Sequence, residues 1–389
     1  MLIEPETAEA VAAALKQASD ARQSVAIRGA STKRDWGRNT AEADVTLGTR
    51  RLHRVLAHPH GDLTTTVEAG APLGDVNRAL AGHGQWLPLD PPFGDRATIG
   101  GILATNDSGP LRHRYGTPRD QVIGVRLATT DGTLAKAGGQ VVKNVAGYDL
   151  SKLVCGSFGA LAVIVSATFK LAPVWKASKT IVATPAGAEV LGRLVGAMMG
   201  SQLEPVAFEV RADAADYETR TMALLVRFAS LPSVVDAQID HARALLGASD
   251  TPVQVHEDDG ERALWFQHGE RLWTASGAIV RASWLPARIA DVLAEIARAH
   301  PHGRLEMIGR AAVGTGLIRI DADPSTQAAV IERLRRSTTV GNVVLMRGPA
   351  ELKSLVDVWG PSGDRQALLE SVKRAFDPHG MLNAGRGPL

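Results

Sequence analysis

A single cysteine, Cys155, stands in a chain of 389 residues. That scarcity excludes an internal disulfide framework and any zinc site built on several cysteines. A chain of this size can rely on its core without cross-links, and a reducing cytosol suits it. Charge of one sign is lacking too: 43 basic against 41 acidic residues leave a net +2. No block of Lys or Arg forms a tract for nucleic acid, so none is expected as a partner. No apolar run approaches the ~18 residues of a membrane span. The first turn carries Glu4, Glu6 and Glu9 where a secretory leader would be basic and then apolar, so no leader is expected. Low-complexity segments are missing, and 45% hydrophobic with 22% charged residues is the composition of a globular protein, which excludes global disorder. The length suits two or three domains. Two nucleotide signatures are also missing: a G-x-x-x-x-G-K-[ST] phosphate loop, and a G-x-G-x-x-G after a first strand, which disfavours a nicotinamide site.

Glycine is what the chain has in excess, 39 in all. Those between Gly70 and Gly159 fall in pairs and short motifs. Glycine lets backbone approach a ligand closely, so such a stretch suggests a ligand wrapped by main chain; a succession of tight turns is the plainer alternative.

Periodicity outlines the elements. Val11, Leu15 and Ala18 share a helical face ahead of a strand at 24–27; further strands fit 44–47 and 64–67. Leu73, Val76 and Leu80 mark a helix opened by Pro72. Asp131-Gly132 joins a hairpin of 122–129 and 133–137. A long apolar strand runs over 160–171 and ends at Pro173. After Pro173 glycine thins out. Strands at 179–183, 206–211, 222–228 and 253–256 with helices at 186–199 and 234–246 give the order β-α-β-β-α-β. A helical spacer at 260–271 follows, and strands at 278–283, 305–308, 317–320 and 343–347 with helices at 286–298 and 325–336 repeat that order. The two units predict one sheet covered by helices. A last helix is expected at 366–376.

Four motifs carry chemistry. Ile27-Arg28-Gly29-Ala30-Ser31-Thr32-Lys33 follows a strand, and its small residues and cations suit a phosphate nest, although an ordinary turn has the same signature. Ala97-Thr98-Ile99-Gly100-Gly101 continues to Asn106-Asp107-Ser108-Gly109. A third motif runs from Gly138-Gly139 through Val142-Lys143-Asn144-Val145-Ala146-Gly147-Tyr148-Asp149-Leu150 to Gly156-Ser157-Phe158-Gly159. The fourth is Phe376-Asp377-Pro378-His379-Gly380-Met381-Leu382-Asn383-Ala384-Gly385-Arg386.

In this order, and with Arg114-Tyr115-Gly116-Thr117 between the second and third, these motifs resemble the PCMH-type FAD-binding domain of the vanillyl-alcohol oxidase family. Within it, the run 142–153 is similar to the smaller FAD-binding subunits of bacterial glycolate oxidases. The resemblance implies an α+β fold: a two-part FAD-binding domain over 1–175, an antiparallel-sheet α+β cap over 176–349, and a segment over 350–389 returning to the first domain. It implies that Arg28, Gly29, Ala30, Ser31, Thr32 and Lys33 form the pyrophosphate loop. Thr98, Ile99, Gly100, Gly101, Asn106, Ser108 and Gly109 would surround the pyrophosphate and flavin. Gly159 and the strand backbone of Val163, Ile164 and Val165 would meet the cofactor, and Asn383 and Arg386 would reach the flavin from the tail.

Two departures qualify what is implied. Relatives with covalent flavin carry a histidine in the first loop, where Ala30 and Ser31 stand here, so non-covalent FAD is expected. Relatives that oxidise 2-hydroxy acids carry a His-x-Gly-Asp-Gly-Asn-x-His segment in the cap; the comparable 307–316 has neither histidine nor carboxylate, so no metal is expected and no catalytic residue is assigned. Three readings stay open: an FAD subunit of a glycolate oxidase complex acting on glycolate or D-lactate, beside a larger flavin subunit and an iron–sulfur subunit; an FAD-holding partner without catalysis; and a self-contained FAD-dependent alcohol or 2-hydroxy acid oxidoreductase. The expected location is cytoplasmic, at the inner membrane only through such partners. His53, His58 and His60 read as loop histidines and His300-Pro301-His302 as a turn. Glu257-Asp258-Asp259 reads as a solvated helix start, Cys155 as a packed residue, and Tyr148 as a flavin contact or packing. Trp265, Trp273 and Trp284 read as cap core or interface.

Overall fold

The computed structural model describes residues 1–139, 149–214, 220–247, 250–300 and 303–388. The chain divides into two compact units, one of residues 1–109, 115–174 and 362–389, the other of 110–114 and 175–361.

The first unit opens with β1 (Leu2–Ile3), α1 (Ala8–Asp20), β2 (Val25–Arg28) and β3 (Val45–Gly48). The three strands form a parallel sheet in the order β1-β3-β2. The Thr7 hydroxyl accepts the Ala10 N–H and caps α1, and Val11, Leu15 and Ala18 turn one buried stripe onto the sheet. Next come β4 (Val55–Ala57), β5 (Thr64–Glu68), α2 (Leu73–Ala81), β6 (Gln85–Trp86), α3 (Ile99–Thr105), α4 (Arg112–Tyr115, of which 112–114 count with the second unit), α5 (Pro118–Gln121), β7 (Val122–Ala128), β8 (Leu134–Gly138), α6 (Leu150–Val154), β9 (Val163–Lys170) and β10 (Ala172–Pro173). A five-stranded antiparallel sheet has the order β4-β5-β9-β7-β8, and β10 pairs with β6. The β7–β8 turn is organised by Asp131, whose carboxylate accepts from the Thr133 N–H at 3.0 Å, and by Gly132 at φ +85°.

The second unit holds β11 (Ala177–Ala183), α7 (Ala188–Met199), β12 (Ala207–Ala214), β13 (Arg220–Ser230), α8 (Pro232–Gly247), β14 (Val253–Glu257) and α9 (Asp258–Glu270). It continues with β15 (Ala278–Ser283), α10 (Ile289–Ala299), β16 (Arg304–Arg310), β17 (Thr315–Asp321), α11 (Pro324–Arg336), β18 (Gly341–Arg347) and α12 (Ala350–Leu355). Its eight strands make one antiparallel sheet in the order β14-β11-β13-β12-β16-β17-β15-β18. Each β-α-β-β-α-β unit supplies four adjacent strands. The two quartets mirror one another and join through β12 and β16, where Glu209 to Ala214 run antiparallel to Arg310 to Leu305. Helices cover one face and bury Phe208, Val210, Leu224 and Val226 against Ile239, Leu293 and Ile331. Leu352, Val356 and Val358 pack into this same core, so the stretch 350–361 belongs with the second unit and the return to the first begins at 362. Trp273 and Trp284 are buried here, and Trp265 donates to the Thr180 hydroxyl at 2.8 Å: all three are packed within the unit.

The chain closes on α13 (Gln366–Phe376) in the first unit. The tail beyond it adds to the parallel sheet through a bridge between Leu382 and Val25.

Candidate functional site

A cleft opens in the first unit, enclosing about 800 Å³ of space with the open solvent at its mouth included. Its rim begins where β2 ends. Arg28 through Arg34 form the loop, and Ser31 takes the left-handed backbone at φ +58°. Gly29 packs on Thr98: a Cβ there would stand 2.2 Å from the Thr98 hydroxyl oxygen, so only glycine lets the loop lie this close. The opposite wall is α3, which contributes Gly100, Gly101, Ala104 and Thr105, and Phe158, Gly159, Ala162 and Ile164 complete it.

The C-terminal tail holds these pieces in place. The Asn383 amide bridges two of them: its Oδ1 accepts the Ile27 N–H at 2.9 Å, and its Nδ2 donates to the Phe158 carbonyl at 2.7 Å. Gly159, at φ +72°, leaves room for that amide, since a Cβ would come 2.6 Å from Asn383 Nδ2. Arg386 donates to the carbonyls of Lys33 at 2.6 Å, Arg34 at 3.1 Å and Trp36 at 3.2 Å, stapling the loop. Burial holds its guanidinium pKa below the ordinary value. The tail in turn is knitted by buried Asp377, which accepts from the Met381 and Leu382 N–H groups at 3.0 and 2.8 Å. Lys373 donates to the Ala160 and Leu382 carbonyls at 2.7 and 3.2 Å. Sequence reasoning missed Lys373, because nothing in a solvent-facing helix pattern marks one lysine as a tie to a loop 213 residues away.

Of the residues expected at the site, Arg28, Gly29, Ala30, Ser31, Thr32, Lys33, Thr98, Gly100, Gly101, Gly159, Ile164, Asn383 and Arg386 line this cleft together. Six others are placed elsewhere. Ile99, Val163 and Val165 are buried in the hydrophobic cores. Successive strand residues point to opposite faces, so Ile164 can line the cleft only if its two neighbours turn away. Asn106 ends α3 in the left-handed region, and its side chain accepts the Arg119 N–H at 3.1 Å. The Gly109 N–H goes to Asp90 Oδ1 at 3.0 Å, and Ser108 beside it is not part of the lining. Gly100 is constrained mainly by packing, its Cβ position lying 2.9 Å from Ala69 Cβ. Ala104, Thr105 and Phe158, which stand within the motifs but were given no role, line the cleft too, and so does Thr49, which only the folded chain brings to it.

The cleft's electrostatics are one-sided. Arg28, Lys33, Arg34 and Arg386 line it, and among the described residues no carboxylate does. Lys33 is buried and paired with Asp107 at 3.0 Å just behind the wall. A narrow, glycine-walled cradle with several cations fits a diphosphate joining two flat ring systems, which is the shape and charge of FAD. No histidine, cysteine or tyrosine lines the cleft among the described residues.

A family model described as an FAD binding domain matches residues 1–138. The chain carries a PCMH-type FAD-binding domain. Its homologues include the D-2-hydroxyglutarate dehydrogenase of Xanthomonas citri, 27% identical over 98% of this chain and 88% of that protein. They also include the glycolate oxidase subunit GlcE of Escherichia coli, 36% identical over 46% of this chain and 51% of that one. The glycolate oxidase subunit GlcD of Bacillus subtilis is 30% identical over 54% of this chain and 44% of its own length. The chain thus spans about half of each glycolate oxidase subunit it matches. An alkyldihydroxyacetonephosphate synthase structure shares the fold with a TM-score of 0.72, at 14% identity, over 98% of this chain and 75% of that one. FAD is the cofactor of this domain.

The remaining candidates are structural. Residues 142–148 of the third motif, with Tyr148, and Pro301 and His302 lie outside the described residues. The Cys155 thiol donates to the Ser151 carbonyl at 3.2 Å, and burial pushes its pKa up to about 12. His58, His60 and His83 stand together, with ring centroids 4.6 to 6.3 Å apart, but the rings of His60 and His83 stack face to face. Among the described residues no three His, Cys, Asp or Glu side chains converge as metal ligands do, and no helix is long and apolar enough to cross a membrane. Glu257 occupies the N-cap position of α9 without a side-chain capping hydrogen bond, and Asp258 and Asp259 follow in the first turn.

Proposed function

We propose that this chain holds FAD non-covalently in the cleft and takes part in oxidising a small 2-hydroxy acid, glycolate or D-lactate, to the 2-oxo acid. In this reading it is one subunit of a glycolate oxidase complex, beside a larger flavin subunit and an iron–sulfur subunit that receives the electrons. It is cytoplasmic and meets a membrane only through those partners. The observation that carries the reading is the cleft itself: four cations without a carboxylate, walled by glycine and clamped by Asn383 and Arg386. The residues that would hold the cofactor are those lining it, with Arg28 and the 29–33 backbone on the diphosphate. The absence of a His, Cys or Tyr among the described lining residues supports a non-covalent link.

FAD, when bound, supplies the two-electron acceptor for the hydrogen on the substrate's Cα. The chain's own task is then to orient the acid and take the hydroxyl proton. The cap segment 307–316 offers Arg310 alone for this, and Arg310 is buried against Glu209 at 3.6 Å. His268, the histidine bonded to that same Glu209 at 3.1 Å, is itself fully buried. General-base help is worth roughly 10²–10⁴-fold, so its lack supports slow turnover by the isolated chain and main catalysis on a larger flavin subunit. One observation favours the second reading, an autonomous FAD dehydrogenase: the alignment with D-2-hydroxyglutarate dehydrogenase spans nearly the whole of both proteins.

Two measurements test these readings. Acid precipitation of the loaded protein should release all yellow colour; colour retained in the pellet refutes the non-covalent link. Anaerobic rapid mixing with glycolate and D-lactate should bleach the flavin slowly for the chain alone and faster with the larger flavin subunit added. Bleaching of the isolated chain within a fraction of a second overturns the subunit reading in favour of the autonomous one.

A further inference from the structure

The segment from α13 to Arg386 holds the cleft together but is itself lightly anchored. Among the described residues no side chain of the 11-residue α13 is fully buried, and its Leu368 is 66% exposed. The segment's apolar anchors in the core of the first unit are Met381 and Leu382. Its other ties are polar. The Val25 N–H donates to the Met381 carbonyl at 2.8 Å, and the Asn383 N–H donates to the Val25 carbonyl at 2.9 Å. The Thr130 hydroxyl donates to the Phe376 carbonyl at 3.3 Å. In β9, by contrast, every residue from Val163 to Phe169 is buried. Local opening is easiest where few buried apolar contacts are lost, so this segment opens more readily than that strand.

Lys373 and Asp377 are the junction of these ties. The Lys373 ammonium directs its donors to the Ala160 carbonyl, the Leu382 carbonyl and the buried Asp377 carboxylate. Asp377 in turn accepts the Met381 and Leu382 N–H groups. Ala160 follows Gly159 in the wall of the cleft, and Leu382 precedes Asn383, whose amide joins Ile27 to Phe158. One cation therefore fastens the segment to the cleft wall. The segment also brings a charge of its own. Arg386 lines the cleft with Arg28, Lys33 and Arg34. Asp35 attracts its guanidinium, whereas Arg28 and Arg34 repel it. A diphosphate in the cleft offsets that repulsion, so closure of the segment and binding of the cofactor favour one another.

We propose that residues 366–386 form a strap that closes on the FAD-filled cleft, with Lys373 and Asp377 as its latch, and that opens without unfolding of the unit's strands when the cleft is empty. The inference rests on FAD occupying this cleft and is independent of the substrate that the flavin oxidises. A cofactor whose site is complete only in the closed form binds with an affinity reduced by the fraction of molecules that are closed. Lys373 does not line the cleft, so it is a positioning residue that acts through that fraction. The coupling is reciprocal: FAD, which favours the closed form, must suppress opening of the strap. Removing the Lys373 cation strands the buried Asp377 carboxylate, which only the open strap returns to water.

The test is hydrogen exchange of the full-length chain, read by mass spectrometry with and without saturating FAD. In the FAD-free chain the amides of 381–386 should be protected at least tenfold less than those of β9, and FAD should raise their protection at least tenfold. In FAD-free Lys373→Met the same amides should exchange within tenfold of an unstructured chain while β9 stays protected. Fluorescence titration should show FAD weakened at least tenfold in Lys373→Met and by less in Lys373→Arg. Leu368→Ser, at an exposed position of α13, should change neither measurement. Protection of 381–386 equal to that of β9 in the FAD-free wild type overturns the proposal, and so does unchanged FAD affinity in a folded Lys373→Met chain. FAD that protects the 28–34 loop but not 381–386 overturns the strap and leaves the cleft reading standing. FAD that protects neither refutes the cleft reading and the strap with it. The wild-type comparison needs no variant, so it decides the matter even where Lys373→Met fails to fold.

Discussion

In the first unit the charges that line the cleft among the described residues are all positive, while its walls are glycine, small residues and backbone. On the face of the second unit's sheet opposite its helices the charges come in buried carboxylate–arginine pairs made by side chains. A ligand read by backbone demands close approach, and so constrains glycine, whose position is written in the sequence. Paired side chains constrain relations between distant residues, which a single sequence does not display. Glu209, His268 and Arg310 meet only because β12, α9 and β16 are adjacent in the fold.

The sharpest way to break this comparison is to deny the cleft its glycine. In Gly29→Val the new side chain would collide with Thr98, and its branched carbons would push the loop off α3. FAD should be lost almost completely, read as the ratio of flavin to protein absorbance after gel filtration. Gly61→Ala, where a Cβ meets nothing within 4 Å, should keep full flavin content. Full content in Gly29→Val would mean that the loop does not touch the cofactor.

The next largest effect belongs to the second unit. Arg319 and Glu306 are both nearly fully buried, so Arg319→Met strands a carboxylate without its cation. Removing one member of a buried pair costs about 3–5 kcal/mol, and replacing both with apolar residues of similar volume restores much of it. Urea unfolding of Arg319→Met and of Arg319→Met/Glu306→Leu measures both. A single variant as stable as wild type would show that the pairs on this face are not what holds the sheet's charges in place.

The two units were legible to different depths. The doubled β-α-β-β-α-β order of the second unit was visible because its strands read as short apolar runs, as at 222–226, set between stretches of helical period. That the two quartets join at β12 and β16 was not visible, since strand order within a sheet depends on which edges meet. In the first unit, motif order pointed to the loop, to Thr98–Gly101 and to the tail. Physical chemistry then sorted their roles: Arg386 serves the loop's carbonyls, and Val163 and Val165 serve the core because Ile164 serves the cleft.

Arg386 gives the third prediction. Its donors hold three carbonyls of the loop that carries Lys33 and Arg34. Hydrogen bonds to a charged group are worth about 1.5–3 kcal/mol net, so Arg386→Met should weaken FAD by roughly 10- to 100-fold without unfolding the unit. Fluorescence titration of the apoprotein decides this. An unchanged affinity would mean that the loop is ordered without its staple, and that the tail contributes only through Asn383.

Cys155 offers the smallest effect and tests whether titration touches the first unit at all. Its thiol is packed away, donates to the Ser151 carbonyl at 3.2 Å and is pushed up to about 12 by burial. A raised thiol pKa means that the unfolded chain loses this proton at lower pH than the native one. The group therefore favours the native state fully below the unfolded pKa, and that contribution falls as pH rises from roughly 8.5 toward 12. Alkylation by iodoacetamide at pH 8 to 9 should accordingly be slow in the native protein and fast in urea, because the thiolate is the reactive form. No histidine, cysteine or tyrosine lines the cleft among the described residues, so FAD affinity should stay level between pH 7 and 9. A thiol that reacts at the rate of a free peptide would show that Cys155 is not packed away, and an FAD affinity that changes tenfold across that window would place a titrating group in the cleft.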